Sequence, residues 1–249
     1  MISSVFDALS FLTILPFSCP ISSDRPAERM ARALGGFPLA GAVVGAVAGG
    51  CAWFGRQFWG QAIGAWFGLA AMAIVTGGLH LDGFSDTMDG LGAWKNRDQT
   101  VEVMKDSRIG VMGAVGLILL LAIQWSALRQ LNPQLWIPAL VGICSLSRLG
   151  LAVSAQMFPY MPGKQGIGRL VTDRPAPIPV ACAVVSGFGI AVLCLGVREA
   201  AILLASALAV SCILNLFFMR WLGGITGDTL GALHETVLTI LLLVLGVTG

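Results

Sequence analysis

Long apolar stretches separated by short polar ones dominate this chain. A membrane-spanning helix needs about 20 mainly apolar residues, and seven stretches qualify, at roughly 34–55, 60–79, 110–130, 134–156, 177–197, 199–219 and 230–248. Hydrocarbon cannot satisfy free backbone groups and no barrel-type alternation is present, so these stretches predict helices. Their many glycines and alanines permit close helix packing. Ahead of them, Ile2, Val5, Phe6, Leu9 and Leu12 recur at helical spacing opposite Ser3, Ser4, Asp7 and Ser10. That pattern predicts an N-terminal helix lying in the membrane interface. The segment has no Lys or Arg before its apolar residues and carries Asp7, so it does not read as a secretory signal. The expected fold is all-α and polytopic: about seven transmembrane helices plus the interfacial helix, in a single domain spanning 1–249.

Composition agrees with a bilayer as solvent. Of 249 residues, 56% are hydrophobic and 11% charged, too few polar groups to cover a water-soluble globule of this size. The net charge of +2 is small and dispersed, which leaves no basic patch for nucleic acid. The six cysteines have neither C-x-x-C pairing nor histidines at ligand spacing, and read as small buried hydrophobes. Cytoplasmic segments of membrane proteins are enriched in Lys and Arg. Here Arg25, Arg29, Arg32, Lys95, Arg97, Lys105, Arg108, Lys164, Arg169, Arg174 and Arg220 fall on one side of the seven-span map, against Arg56, Arg129 and Arg198 on the other. The N-terminus is therefore expected in the cytoplasm, with an external C-terminus. All acidic residues except Glu199 lie in or beside the cytoplasmic segments, as do His80 and His234. Chemistry is expected there, on the segments 80–109, 157–176 and 220–235.

The most informative segment follows the second stretch. Asp82, Asp86 and Asp89 stand at i, i+4 and i+7, which places three carboxylates within about 60° of one helical face. Like charges so close repel unless a cation neutralises them, and a hard, oxygen-only donor set suits Mg²⁺. A solvated acidic helix end would carry the same residues but would ordinarily intersperse Lys or Arg. Next come Lys105, Asp106, Ser107 and Arg108: the cations suit phosphate oxygens, and Asp106 suits a metal ligand or base. Arg148 lies inside an apolar stretch, where a charge needs an aspartate partner or a phosphate. The segment from Pro159 to Arg169, with Lys164, resembles a flexible lid or a plain linker. Asp228 and Glu235 share a helical face entering the last stretch, and the glycines around them allow a ligand close to the backbone. His80 and His234 each lack a neighbouring Cys or His and serve either structure or catalysis.

Taken in order, Gly-Leu-His80-Leu-Asp82-Gly with Asp86 and Asp89, Lys105-Asp-Ser-Arg108-Ile-Gly, and Gly-Gly-x-Thr-Gly-Asp228 resemble the cobalamin synthase family, the adenosylcobinamide-GDP ribazoletransferases. Phe11-Leu-Thr-Ile-Leu-Pro16 and Gly36-Phe-Pro38-Leu-Ala-Gly41 resemble the family's opening, so the likeness runs from about residue 9 to about residue 236. Phe84 and Met88 stand where the motif more often has smaller residues. The resemblance implies a bacterial inner-membrane enzyme that joins adenosylcobinamide-GDP to α-ribazole or its 5′-phosphate, releases GMP and requires Mg²⁺. It assigns Asp82, Asp86 and Asp89 to the metal, Asp106 and Asp228 to further ligation or proton transfer, and Lys105 and Arg108 to phosphate. Arg148, Lys164, His80 and Glu235 complete the expected substrate-binding set, and the small-residue spans are compatible with a homo-oligomer.

Three other readings compete. A CDP-alcohol phosphotransferase also sets aspartates on membrane helices, but its D-x-x-D-G-x-x-A-R signature is missing. A prenyltransferase would need two aspartate-rich motifs of its own type. A cation-coupled transporter would place acids near mid-membrane in several spans, whereas these gather at one face.

Overall fold

The chain reverses direction at Gly60 with almost no loop. In the computed structural model, which describes residues 2–16, 26–163, 166, 168–172 and 175–248, the helix α3 (Phe37–Val75) is broken only at Gly60, with φ 82° and ψ 174°. Glycine alone adopts that backbone at little cost. Beyond it the two limbs pack back to back: a Cβ on Gly64 would lie 2.7 Å from the Ala52 carbonyl oxygen, and one on Gly55 2.8 Å from the Phe67 ring. Thus α3 crosses twice.

Before it come α1 (Ile2–Leu12) and α2 (Pro26–Ala33). After it come α4 (Leu79–Gly92), α5 (Arg97–Met104), α6 (Val111–Gln130), α7 (Trp136–Met157), the single turn α8 (Arg169–Thr172), α9 (Pro177–Leu195), α10 (Val197–Leu222) and α11 (Gly227–Thr248). Six helices among the described residues are long and apolar enough to cross a membrane. With α3 counted as two limbs they make seven passes, as the hydrophobic pattern predicts.

At the centre runs α7, whose most apolar window is 78% buried, against 17% for α9. Contact with α3 is intimate because Gly41, Gly45 and Gly49 form a groove that takes the α7 backbone. A Cβ at these positions would lie 2.2 Å from the Cys144 carbonyl oxygen, 2.3 Å from that of Leu140 and 2.7 Å from the Ile137 Cα. Small residues four apart are what such close packing in lipid requires. By contrast α9 and α10 turn most of their apolar surface outward. This corrects one expectation: Cys144 is buried, but Cys182 on α9 and Cys212 on α10 are exposed, because their helices line the rim rather than the core.

The N-terminal helix also departs from its predicted orientation. Ala8, Leu9 and Leu12 are buried, Phe6 is 41% exposed, and Asp7 is only 6% exposed. Asp7 turns inward because Arg29 of α2 meets it with Nε donating to Oδ1 at 2.7 Å and a second guanidinium nitrogen on the same oxygen. α1 therefore packs against α2 and the start of α3 instead of offering Asp7 to water. Its end is tied to the end of α3, the Ile14 N–H donating to the Val75 carbonyl at 2.9 Å.

The second limb of α3, residues 61–75, extends about 22 Å at 1.5 Å per residue and leads within three residues into α4. The segments after α7 and α10 are stitched together. Met161 donates to the Ile225 carbonyl at 2.9 Å and Ile225 to the Pro159 carbonyl at 3.0 Å.

Candidate active site

Helix α4 lies between α6 and α11, and two glycines let it cross α11 closely. A Cβ on Gly83 would sit 2.8 Å from the Asp228 carbonyl oxygen, and one on Gly231 3.0 Å from that of His80. Gly224 likewise presses on the protein's own backbone, at Met161, whose Cα would lie 2.5 Å from a Cβ added there, whereas Gly227 is exposed and lines a cavity. The crossing carries Asp228 to the aspartates of α4. The first turn of α11 is fixed by reciprocal bonds between Thr226 and Thr229, each backbone N–H donating to the other's hydroxyl at 2.8 and 3.2 Å, a form of capping box.

Asp82, Asp86, Asp228, His80, Lys105 and Asp106 line one cavity of about 730 Å³, within the size range of ligand sites. Asp82 is exposed to it, while Asp86 and Asp228 are partly buried. Burial, together with the charges of Asp82, Asp228 and Asp89, pushes the Asp86 carboxyl up to about 7. Among the described residues, Lys105 is the cation that shares the cavity with these carboxylates. Tyr160, Gly166 and Gly168 close the cavity from the segment after α7.

Asp89 belongs to the same face of α4 but has other partners. Its Oδ2 accepts the Gly110 N–H at 2.7 Å and its Oδ1 the Gly113 N–H at 2.8 Å. It therefore caps the start of α6, where a helix N-terminus leaves donors unsatisfied. Glycine is needed at both positions, since a Cβ would come within 2.3 Å of the carboxylate at Gly110 and 2.4 Å at Gly113. Among the described residues, no three His, Cys, Asp or Glu side chains converge as a ready-made metal group.

Asp106 and Arg108 engage each other. The Arg108 Nε donates to Oδ1 at 3.0 Å and its terminal nitrogen to Oδ2 at 2.7 Å. This bidentate bond holds the Asp106 carboxyl down at about 2. Arg108, 86% exposed in its side chain, lies beside Asp89 and Gly110 along a separate cleft of about 570 Å³. Lys164 lies outside the described residues.

Arg148 and Glu235 are not at the open cavity. Arg148 is 1% and Glu235 8% exposed, inside a buried cluster with His80, His234 and Gln124 around a cavity of about 20 Å³, the size of a single water. Gln124 Nε2 donates at 3.0 Å both to Glu235 Oε2 and to the Thr239 hydroxyl. The His80 and His234 rings lie 4.0 Å apart, so neither histidine is isolated as its sequence surroundings suggest. His80 Nε2, His234 Nδ1 and Arg148 Nε have no protein partner. Gln124 belongs to none of the sequence motifs, although a lone amide inside an apolar span is itself a signal.

A sequence profile of cobalamin-5-phosphate synthase matches residues 4–246. A Klebsiella pneumoniae (strain 342) protein named adenosylcobinamide-GDP ribazoletransferase is 36% identical over 242 residues, covering 94% of this chain and 96% of its own. Proteins of the same name from Roseiflexus sp. (strain RS-1) and Brevibacillus brevis are 36% and 33% identical, over 92% and 96% of this chain and 84% and 95% of theirs. No solved structure matches. The profile runs through the aspartates of α4 and the α11 crossing: the chain belongs to the cobalamin-5-phosphate synthase family.

Proposed function

We propose that this protein transfers a phosphoryl-linked cobinamide from adenosylcobinamide-GDP to a ribose hydroxyl of α-ribazole or its 5′-phosphate, at the cytoplasmic face of a bacterial inner membrane and with Mg²⁺. The observation that carries the reading is the meeting of Asp82, Asp86 and Asp228 with Lys105 around one cavity, in a chain of this family. In the reaction the acceptor hydroxyl forms a bond to the phosphorus attached to the cobinamide side. The bridging P–O bond of the diphosphate breaks, GMP leaves with the electron pair, and the hydroxyl proton passes to a base.

The donor set fits a hard divalent cation. Mg²⁺ typically takes one or two carboxylates and completes its shell with water and substrate phosphates, so the lack of a preformed three-ligand group is no obstacle. Asp82, Asp86 and Asp228 are the residues that would hold it, and it would neutralise charge on the transferring group. Lys105 supports phosphate oxygens from the cavity wall. Asp89, pinned to α6, fixes the rotation of α4 and with it the aim of Asp82 and Asp86. Arg148 and Glu235 support the site through the buried cluster.

The test is conversion of adenosylcobinamide-GDP plus α-ribazole to the cobamide and GMP by purified protein in detergent, with Mg²⁺ and with EDTA. Asp82→Ala should lower kcat by about 10³-fold, equivalent to roughly 4 kcal/mol of barrier, with unchanged elution on size exclusion. Undiminished turnover in EDTA would remove the metal from the reading; undiminished turnover in Asp82→Ala would remove this site.

A further inference from the structure

A second cavity, about 670 Å³, lies on the other side of the same two aspartates. On an ideal helix at 100° per residue, Asp82 and Asp86 lie within about 40° of each other. Gly83 and His80 then fall on one flank, and Ser85 and Leu81 on the opposite flank. The cavities follow this division. His80 and Gly83 line the first, Leu81 and Ser85 the second, and Asp82 and Asp86 line both. The carboxylates thus form a ridge with a cavity on each side.

The two sides differ in chemistry. The first presents the Lys105 cation, the first turn of α11 at Gly227 and Asp228, and the Asp106 carboxylate, whose charge Arg108 pairs. A cation and the N-terminal end of a helix both attract anions. The second is walled by Leu81, Ile109 and Leu117 with the hydroxyls of Thr13, Ser85 and Ser107, and among the described residues its only charged groups are Asp82 and Asp86. This side offers a phosphate neither a cation nor a helix start, and it suits a neutral, hydroxyl-bearing ligand.

Resting on the transferase reading above, we infer that the Lys105 side binds the guanosine diphosphate end of the donor and the Leu117 side binds the acceptor nucleoside. The reaction geometry requires two such sides, since the attacking and leaving oxygens stand roughly in line across phosphorus. With the phosphorus over the ridge, the acceptor hydroxyl attacks from the second cavity and forms the new P–O bond. The diphosphate bridge breaks toward the first, where GMP departs with the electron pair. The hydroxyl proton passes to a single base at the ridge, where Asp82 and Asp86 border both cavities.

The experiment is a KM comparison for each substrate, joined to calorimetric binding of GDP and of α-ribazole. Leu117→Trp and Ile109→Trp each fill the second cavity, and Ile109, 59% exposed, tolerates the change without touching the core. Both should raise KM and weaken binding for α-ribazole by about tenfold or more, with GDP binding and donor KM within about twofold of wild type. Lys105→Gln should do the reverse. A donor-side effect from the tryptophan variants, or an acceptor-side effect from Lys105→Gln, would overturn the assignment while leaving the transferase reading intact. A wild-type protein that makes no cobamide would overturn both.

Discussion

At the Gly60 end of the bundle, Trp53, Phe54, Phe58, Trp59 and Trp66 stand on the outside, between 42% and 65% exposed. At the opposite end the carboxylates turn toward cavities, and glycines at 83, 110 and 113 admit backbone or carboxylate contacts that no Cβ would allow, while a Cβ at Gly231 would be crowded. The aromatic end is held by contacts suited to a membrane interface. Arg129 lies 5.2 Å from the Trp125 ring centroid, and Trp66 stacks on Trp125 at 5.9 Å, while the Trp125 Nε1–H donates to the Ala62 carbonyl at 2.8 Å. Aromatic belts at headgroup level tolerate many arrangements, but a helix crossing that sets Asp228 beside Asp82 tolerates few. Glycines pack closely at both ends, at Gly55 and Gly64 as at Gly83, but only at the carboxylate end does that packing place candidate site residues, and substitutions should reveal the difference.

After Asp82→Ala, the largest effect should come from Gly231→Val, which crowds α4 and α11 at their crossing. Turnover should fall by about 10²-fold, since displacement of reacting groups by about 1 Å costs that much, and near-normal kcat would sever the crossing from the chemistry. A smaller, graded effect concerns pH. The Asp86 carboxyl is held up to about 7, and only its ionised form binds a cation, so protons compete with Mg²⁺ below that value. Apparent Mg²⁺ affinity should drop by up to about tenfold per unit below pH 7 and level off above it. A flat profile between pH 6 and pH 8 would exclude Asp86 as a ligand.

Asp89→Ala should release the two N–H groups at the start of α6 and lower stability by about 1–3 kcal/mol, read as a lower thermal midpoint in detergent. If Mg²⁺ affinity fell with no thermal shift, Asp89 would be a ligand rather than a cap. Smallest of all, Trp59→Ala at the far end should leave kcat and both KM values within about twofold. A large kinetic change there would erase the contrast between the ends.

The passes were legible in the sequence because hydrophobic run length is a one-dimensional signal. Even so, the first two runs are joined by a single glycine, a backbone conformation that hydropathy does not encode. The aspartate face of α4 was readable from i, i+4, i+7 spacing. Its division of labour was not: Asp89 is distinguished from Asp82 and Asp86 by bonds to Gly110 and Gly113, more than twenty positions on. Likewise Arg148 and Glu235 stand out as costly membrane charges, but only the packing of α4, α6, α7 and α11 shows them in a buried cluster with Gln124 instead of at the open cavity. The inward turn of Asp7 has the same origin, a partner on another helix.

The single-glycine reversal also bears on biogenesis. With no hydrophilic loop at Gly60, the two limbs of α3 pack directly on each other at Gly55 and Gly64. They can partition from the translocation machinery into lipid as one hairpin, with Arg56 the only full charge on the crossing segment. The first two passes would then reach the bilayer as a finished scaffold, against which α7, emerging later, finds the Gly41, Gly45 and Gly49 groove already formed.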